Sequence, residues 1–374
     1  MKKRVVITGG GSGGHLWPML VVADKIKKKY EIIIFSDRNL CNDPISKKEN
    51  FRSIKIISGK INRYKSLIAY LKNFGNVILF FLGFLQSLFI LIFIHPLVIF
   101  SKGGYAALPV SLAARLLRIP VIIHESDLTL GLTNRLTLNH ATKVALSFPP
   151  DNYNLPLEKI VFTGHILRPE IFSNTKEMIE EAKSSLKLNP KLPTILITGG
   201  SQGSLAINKI IAKSISELLS FANIIHISGI RDYPWLKQSL PAEESPGRYI
   251  LESYTSKMIE CLMMADLVIT RAGSNTLAEI AALKKPSIII PYQYASANHQ
   301  YRNAQYFEKN QAGILLDEKK LEKNFLLKEI KKLLSDQKLM QIIGENAFRI
   351  NLFNGAENIE KLIDQIANNQ ENRK

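Results

Sequence analysis

Glu279 stands in a stretch whose residue types could handle a phosphorylated sugar. The stretch runs Leu267-Val268-Ile269-Thr270-Arg271-Ala272-Gly273-Ser274-Asn275-Thr276, reaches Glu279, and continues to His299-Gln300. The apolar run 267–270 reads as a buried parallel strand. Ser274 reads as a cap on a helix beginning near Asn275, and residues 287–290 read as the next strand. A helix N-terminus at the end of a strand presents unpaired N–H groups, which suit an anion. A carboxylate beside a phosphate would repel it, so Glu279 fits better as an acceptor for hydroxyls such as those of a ribose. A solvated glutamate that merely favours the helix dipole explains the same residue equally well.

Three further clusters could do chemistry. Gly9-Gly10-Gly11-Ser12-Gly13-Gly14-His15 follows a short apolar run and matches the dinucleotide fingerprint, with Asp37 at the end of the next strand as a candidate ribose-binding acid. The same loop reads as a phosphate cradle, with His15 as a proton acceptor or phosphate donor. A capping or solvated histidine is the plainer alternative. Val121-Ile122-Ile123-His124-Glu125 places a His-Glu pair at a strand end, either a proton-transfer pair or a local hydrogen-bonded turn. Thr198-Gly199-Gly200-Ser201-Gln202-Gly203 is a second anion cradle, and without a lysine in Walker spacing it is no P-loop. No metal-ligand spacing stands out, so neither metal nor other cofactor is expected.

The elements that position these loops alternate. Strands at 4–8, 31–35, 97–100 and 121–125 and a helix at 18–28 form one βαβ series. Strands at 194–198 and 221–228 with a helix at 205–219 open a second. Two Thr-Gly-Gly loops, at Thr8 and Thr198, each start a series, which implies two Rossmann-like halves in an α/β chain. The boundary falls near 164–169. That divides the chain into residues 1–166 and 167–349, with a C-terminal helix at about 350–366 returning to the first half.

The length of 374 residues suits two domains, and the two cysteines, Cys41 and Cys261, lack any disulfide or metal framework, which points to a reduced, cytosolic protein. The composition predicts order except at the polar tail 368–374. Net charge is +17, and residues 1–72 hold sixteen Lys or Arg against five Asp or Glu. Such asymmetry asks for a polyanionic partner. The uncharged stretch 73–101 favours an anionic phospholipid surface over nucleic acid, with a merely soluble basic surface as the plainer alternative. Residues 77–94 are long and apolar enough for a bilayer span. No second apolar run returns the chain, however, and His95-Pro96 leads straight into a strand. The stretch therefore reads as a crossover helix with one face on the sheet and a greasy outer face, the alternative being a helix that is fully buried or lies at a subunit interface. Arg52, Lys55, Lys60, Arg63, Lys65 and Lys72 precede it, as at an interfacial membrane patch. The basic start, Lys2-Lys3-Arg4, mimics a signal peptide, but its apolar run ends after three residues in glycines.

Taken in order, the glycine loop to His15, Ser101-Lys102-Gly103-Gly104-Tyr105, His124-Glu125, Gly131-Leu132-Thr133-Asn134, the loop at Ser201-Gln202, Arg271-Ala272-Gly273, Glu279 and Asn298-His299-Gln300 resemble the MurG family. These are the UDP-N-acetylglucosamine–N-acetylmuramyl-(pentapeptide) pyrophosphoryl-undecaprenol N-acetylglucosamine transferases. The resemblance runs from Val5 to about Gly355. It implies a GT-B fold, with a first domain for the acceptor and the membrane and a second for the UDP-sugar. It implies inverting transfer of N-acetylglucosamine from UDP-N-acetylglucosamine to the C4 hydroxyl of lipid I, giving lipid II. It further implies a peripheral enzyme on the cytoplasmic face of the inner membrane, with other cell-wall synthesis proteins as partners.

Carried over residue by residue, the resemblance makes His15, then Glu125, the candidate base. Ser12, Gly13, Gly14, Tyr105, Asp127 and Asn134 would serve the acceptor and the transferred sugar. Ser201, Gln202, Gly203 and Arg168 would hold the diphosphate, with Arg271, Gly273, Ser274, Asn275 and Thr276 in the adjoining donor motif. Tyr254, Thr255 and Met258 would contact uracil, Glu279 the ribose, and His299 and Gln300 the sugar. The family usually shows His-Glu-Gln-Asn where this chain has His124-Glu125-Ser126-Asp127, and its Asn-Pro-Val-Arg is here His165-Ile166-Leu167-Arg168. Its frequent Asp-Asn-His-Gln is Ala297-Asn298-His299-Gln300.

Overall fold

The computed structural model describes residues 3–10, 13–37, 51–60, 67–173, 175–200, 202–239 and 245–372. The chain divides into two compact units. The first is Met1–Arg168 with Leu352–Lys374, and the second is Pro169–Asn351.

The first unit carries strands β1 (Lys3–Thr8), β2 (Tyr30–Ser36), β3 (Arg52–Lys55), β4 (Val98–Ser101), β5 (Val121–Glu125), β6 (Lys143–Leu146) and β7 (Ile160–Phe162). They form one sheet in the order β3-β2-β1-β4-β5-β6-β7, every pair parallel. In β1 the side chains alternate between two cores, as strand geometry demands. Val5 and Ile7 join the helix Gly13–Ile26 and the helix Gly355–Glu371 on one face. Val6 joins Leu91, Ile94, Val110 and Ala113 on the other. Both faces are covered, which is why the strands read as unbroken apolar runs.

The helix Gly355–Glu371 belongs to the first unit. Lys29 Nζ reaches Asp364 at 2.6 Å and Glu360 at 2.9 Å, and the Tyr30 hydroxyl donates to Asp364 at 2.7 Å. Lys3 pairs with Glu371 at 2.5 Å. The polar tail is thus helical through Glu371, where composition alone suggested disorder. Its apolar positions Ile359, Leu362, Ile363 and Ile366 recur at helical spacing and are buried.

The second unit carries β8 (Thr194–Thr198), β9 (Asn223–Ile227), β10 (Tyr249–Glu252), β11 (Leu267–Thr270), β12 (Ser287–Ile289) and β13 (Ile314–Leu315). Their order is β10-β9-β8-β11-β12-β13, again all parallel. Strand order reverses between β1 and β4 in one unit and between β8 and β11 in the other. Open α/β sheets bind ligands outside the carboxyl ends of strands at such switch points. The sequence-marked loops, after Thr8, Ser101, Thr198 and Thr270, all leave from those four strands.

The apolar helix runs Leu67–Ile94, and from Asn73 it is long and apolar enough, by length and composition, to cross a membrane. It is bound to the first unit at several points. The Gln86 side chain accepts from Ile57 N at 2.8 Å and donates to Lys55 O at 2.9 Å. Asn76 Nδ2 donates to Lys60 O at 2.7 Å. A Cβ on Gly83 would lie 1.8 Å from Ile57 O, so this close approach requires glycine. Ser87, Leu91 and Ile94 are buried, while Phe74, Val77, Ile78, Phe81, Leu82, Leu85, Phe89, Ile92 and Phe93 are exposed along one stripe. Arg52, Lys55 and Lys60 are exposed beside it in sequence. Arg63 and Lys65 lie outside the described residues.

Candidate functional site

In the first unit the chemistry gathers at the switch point between β1 and β4. The helix Gly13–Ile26 begins five residues earlier than the sequence suggested, so Gly13, Gly14 and His15 form its first turn. Pro18, the expected start, lies inside the helix, where it has no N–H to give the carbonyl four residues back. Ser12 lies outside the described residues. Gly104 must be glycine, because its φ is +89° and a Cβ there would meet Gly10 O at 2.2 Å. This contact holds the two glycine loops together.

His15 is half-buried, and its Nδ1 faces Lys102 O at 3.0 Å. A carbonyl only accepts, so Nδ1 carries the proton and Nε2 keeps its lone pair. Burial and the Lys102 charge lower the imidazole's pKa to about 4, which leaves it neutral at physiological pH.

Glu125, at the end of β5, is buried and anchors a loop. Its Oε1 accepts from Ser126 N at 3.0 Å and Asp127 N at 3.1 Å. Its Oε2 accepts from Gly131 N at 2.7 Å and Asn134 Nδ2 at 2.9 Å. Burial and Asp127 push its carboxyl up, against those N–H groups. Asn134 also donates to His124 O at 2.9 Å, so its amide ties two turns together. Thr133 Oγ1 donates to Gly104 O at 3.0 Å, and the Tyr153 hydroxyl to Asp127 O at 2.9 Å. Tyr105 is exposed beneath Lys60 Nζ, 5.8 Å from its ring centre. Arg168, the last residue before the second unit, stacks its guanidinium over Trp17 at 5.0 Å.

Sequence reasoning gave no role to Lys102. It is fully buried and donates from Nζ to Ser126 Oγ at 2.6 Å. A lysine between an apolar strand and a Gly-Gly pair was the available signal.

In the second unit the loop after β8 carries Gly200 and Gly203 at positive φ, and a Cβ on Gly203 would meet Ser228 O at 2.2 Å. Gln202 is exposed, and Ser201 lies outside the described residues. Ser204 caps the helix Leu205–Leu219, its Oγ accepting from Ile207 N at 3.3 Å. After β11 the helix Ser274–Ala282 has Gly273 as its N-cap, with no side-chain cap. Ser274 is therefore the first helical residue rather than the cap, followed by Asn275 and Thr276. Neither helix has an acidic residue in its first turn, so both positive dipole ends are uncancelled locally. Glu279 is buried, one helical turn and more beyond that end. The solvated-glutamate alternative does not describe it.

Arg271 is held rather than loose. Its guanidinium forks onto Glu318 at 3.0 and 3.1 Å, donates to Ile290 O at 3.1 Å and lies over the Tyr292 ring. Asn303 Nδ2 steadies the same loop through Ala272 O at 3.0 Å. Ala297 and Asn298 both take left-handed φ, turning the chain into the helix His299–Lys309. His299 Nδ1 faces Ser296 O at 2.7 Å, and Gln300 Oε1 accepts from Tyr292 N at 2.9 Å. Tyr254 is exposed beyond β10, Thr255 Oγ1 accepts from Lys257 N at 3.1 Å, and Met258 opens the next helix.

Comparison with known proteins gives the family. The glycosyltransferase family 28 N-terminal domain matches residues 5–146, and the family 28 C-terminal domain matches residues 194–371. The N-acetylglucosamine transferase of Clostridium tetani is 33% identical over 368 residues, covering 98% of each chain. That of Clostridium botulinum strain Loch Maree is 36% identical over 364 residues, covering 96% of this chain and 98% of its own. Among solved structures, Acinetobacter baumannii MurG superposes with a TM-score of 0.73 at 24% identity, covering 97% of this chain and 99% of its own. Neisseria meningitidis UDP-GlcNAc 2-epimerase shares the fold at 0.68 and 13%, covering 97% and 100%. The chain is a GT-B hexosyltransferase of glycosyltransferase family 28, and within it belongs to the UDP-N-acetylglucosamine–N-acetylmuramyl-(pentapeptide) pyrophosphoryl-undecaprenol N-acetylglucosamine transferases.

Proposed function

We propose that the chain moves N-acetylglucosamine from UDP-N-acetylglucosamine to the C4 hydroxyl of lipid I, inverting the sugar's anomeric centre and forming lipid II. The observation that carries the mechanism is His15: with Nδ1–H spent on Lys102 O, Nε2 is left to take a proton. The C4 oxygen attacks the anomeric carbon, its proton passes to His15 Nε2, and the anomeric C–O bond breaks with its electron pair leaving on UDP. Glu125 is a positioning residue, its oxygens occupied by four N–H donors. Gly13, Gly14, Tyr105, Asp127 and Asn134 shape the acceptor side.

Charge develops on the departing diphosphate. The loop Gly199, Gly200, Gln202, Gly203 and the N-termini of Leu205–Leu219 and Ser274–Ala282 supply fixed donors there. Ser201 completes that loop in sequence, and Arg168 adds a cation. Arg271, fixed by Glu318, holds the Gly273–Thr276 turn in place. Glu279 takes the ribose hydroxyls, Tyr254, Thr255 and Met258 the uracil, and His299 and Gln300 the sugar.

The first unit serves as the acceptor and membrane domain. The exposed stripe on Leu67–Ile94 with the basic residues before it suits peripheral attachment to anionic phospholipid at the cytoplasmic membrane face. Lipid I is confined to that surface, which is where the glycine loops of this unit must meet it. Lipid II feeds peptidoglycan synthesis, so cell shape and division depend on this step, and other cell-wall synthesis proteins are expected partners.

The deciding experiment is transfer of radiolabelled N-acetylglucosamine from the UDP-sugar to a lipid I analogue by the purified chain, with product stereochemistry read by NMR. Inverted, lipid-linked product is expected, together with binding of UDP and not of NAD. Absence of transfer with tight NAD binding would give the first glycine loop to a dinucleotide instead.

A further inference from the structure

Glu318 lies just past β13 and Arg271 just past β11, and β12 runs between those two strands. The Arg271–Glu318 fork therefore spans the carboxyl end of β12. The pair is largely withdrawn from water, its side chains 9% and 11% exposed. Both partners also hold the chain as it leaves β12. Arg271 Nη1 donates to Ile290 O at 3.1 Å, and Glu318 Oε2 accepts from Gln293 N at 3.4 Å. Between those two points Tyr292 lays its ring over the Arg271 guanidinium, 5.3 Å from the ring centre, and its backbone N–H donates to Gln300 Oε1 at 2.9 Å. A bidentate guanidinium fixes direction as well as distance, which an ammonium would not. With Oε1 taken by Tyr292 N, the Gln300 amide keeps its Nε2 donors for a further partner.

We propose that Glu318 is a positioning residue for the donor sugar: with Arg271 it straps the end of β12, fixes the Tyr292 N–H, and so holds Gln300 with its donor edge toward the sugar hydroxyls. The inference rests on the reading of Gln300 as a contact of that sugar. In this role Glu318 touches no substrate. It acts on which sugar is chosen, because a fixed N–H donor pairs with a hydroxyl in one orientation and leaves the inverted hydroxyl of an epimer unpaired. The diphosphate side does not depend on the strap, since the turn at Ala272 has its own tie from Asn303 Nδ2 to Ala272 O at 3.0 Å.

The test compares Glu318→Ala with the unaltered full chain. Steady-state transfer to a lipid I analogue gives kcat/KM for UDP-N-acetylglucosamine and for UDP-N-acetylgalactosamine, whose C4 hydroxyl is inverted, and calorimetry gives the Kd of UDP alone. Glu318→Ala is expected to lower kcat/KM for UDP-N-acetylglucosamine about tenfold, the effect of one misplaced hydrogen bond. The value for the epimer and the Kd of UDP should both stay within about twofold, as for groups that do not share the strap. The preference between the two sugars then falls about tenfold. A loss shared equally by both sugars, a matching loss of UDP binding, or an unchanged preference overturns the proposal. If Glu318→Ala does not fold, Arg271→Met with Glu318→Leu takes its place, since apolar residues of similar volume can replace a buried ion pair without loss of stability. Lost preference with UDP binding kept in that pair supports the strap, and a retained preference or an unfolded pair refutes it. Gln300→Glu keeps an oxygen for Tyr292 N and removes the donor. An unchanged sugar preference in Gln300→Glu would remove the reading of Gln300 itself, whatever Glu318→Ala does.

Discussion

Glu125 Oε2 accepts a hydrogen bond from Asn134 Nδ2 at 2.9 Å while Gly131 N donates to the same oxygen at 2.7 Å. With Ser126 N and Asp127 N on Oε1, the carboxylate is the hub of the turn after β5. Glu125→Gln replaces one acceptor oxygen with an amide that confronts N–H donors. It is expected to cost about 2–4 kcal/mol of stability, as buried donors lose their acceptor. Urea unfolding reads this directly. Lost activity at unchanged stability would return Glu125 to the role of base.

Glu279 is buried on the helix Ser274–Ala282. If it grips the ribose, Glu279→Ala should lower kcat/KM for the donor by about 2–3 kcal/mol. The sharper measurement compares UDP-N-acetylglucosamine with its 2′-deoxy analogue. The unaltered enzyme should prefer the ribose form, and the variant should not distinguish them. Equal discrimination by both would place Glu279 elsewhere.

The proposed mechanism has fixed N–H groups at the N-termini of Leu205–Leu219 and Ser274–Ala282 answer the diphosphate's charge in place of a cation. Transfer should therefore survive EDTA treatment with most of its rate. Activity abolished by the chelator and recovered with magnesium or manganese would contradict this.

Phe81 and Phe89 are 59% and 64% exposed on the apolar stripe. The chain should sediment with anionic vesicles, loosen partly in high salt, and leave in alkaline carbonate. Screening removes the charge contribution and spares the apolar one. Phe81→Ser with Phe89→Ser should abolish the salt-resistant fraction without lowering stability, since neither ring is buried. Retention after carbonate washing would mean that the helix spans the bilayer.

His15 and His226 both hold pKa values below the usual histidine range, at about 4 and about 3, each lowered first by burial. His226 is locked between the Tyr249 hydroxyl at 2.8 Å and Asn208 Oδ1 at 2.9 Å. Between pH about 6.5 and 4 the unfolded chain binds protons that these folded sites refuse. Stability is therefore full above pH about 6.5 and falls as pH drops through that window. Urea midpoints across pH 8 to 4 should decline. His226→Gln should flatten part of the decline, and an unchanged slope would show that His226 does not contribute.

Pattern in the sequence sufficed for much of this. β8 and β11 and the helix Leu205–Leu219 lie where apolar runs and flanking turn residues put them. Parallel strands buried on both faces, and glycine loops at their ends, are local signals that tertiary context does not overwrite. The glycine loops marked the switch points because the chain can pass there only without a Cβ, as Gly104 and Gly203 show.

What lay beyond the sequence was pairing across distance. The start of the helix at Gly13 runs against proline's usual place in a helix, and it puts His15 in the first turn against Lys102, 87 residues away. Periodicity says which face a residue takes, not which partner meets it there. The Glu125 hub, the Lys102–Ser126 contact and the Arg271–Glu318 fork all join residues through the fold. The tautomer of His15 depends on a carbonyl brought to it by a neighbouring strand. That is why the sequence alone could name the histidine and leave its role open, while the tertiary structure decides which nitrogen keeps its lone pair.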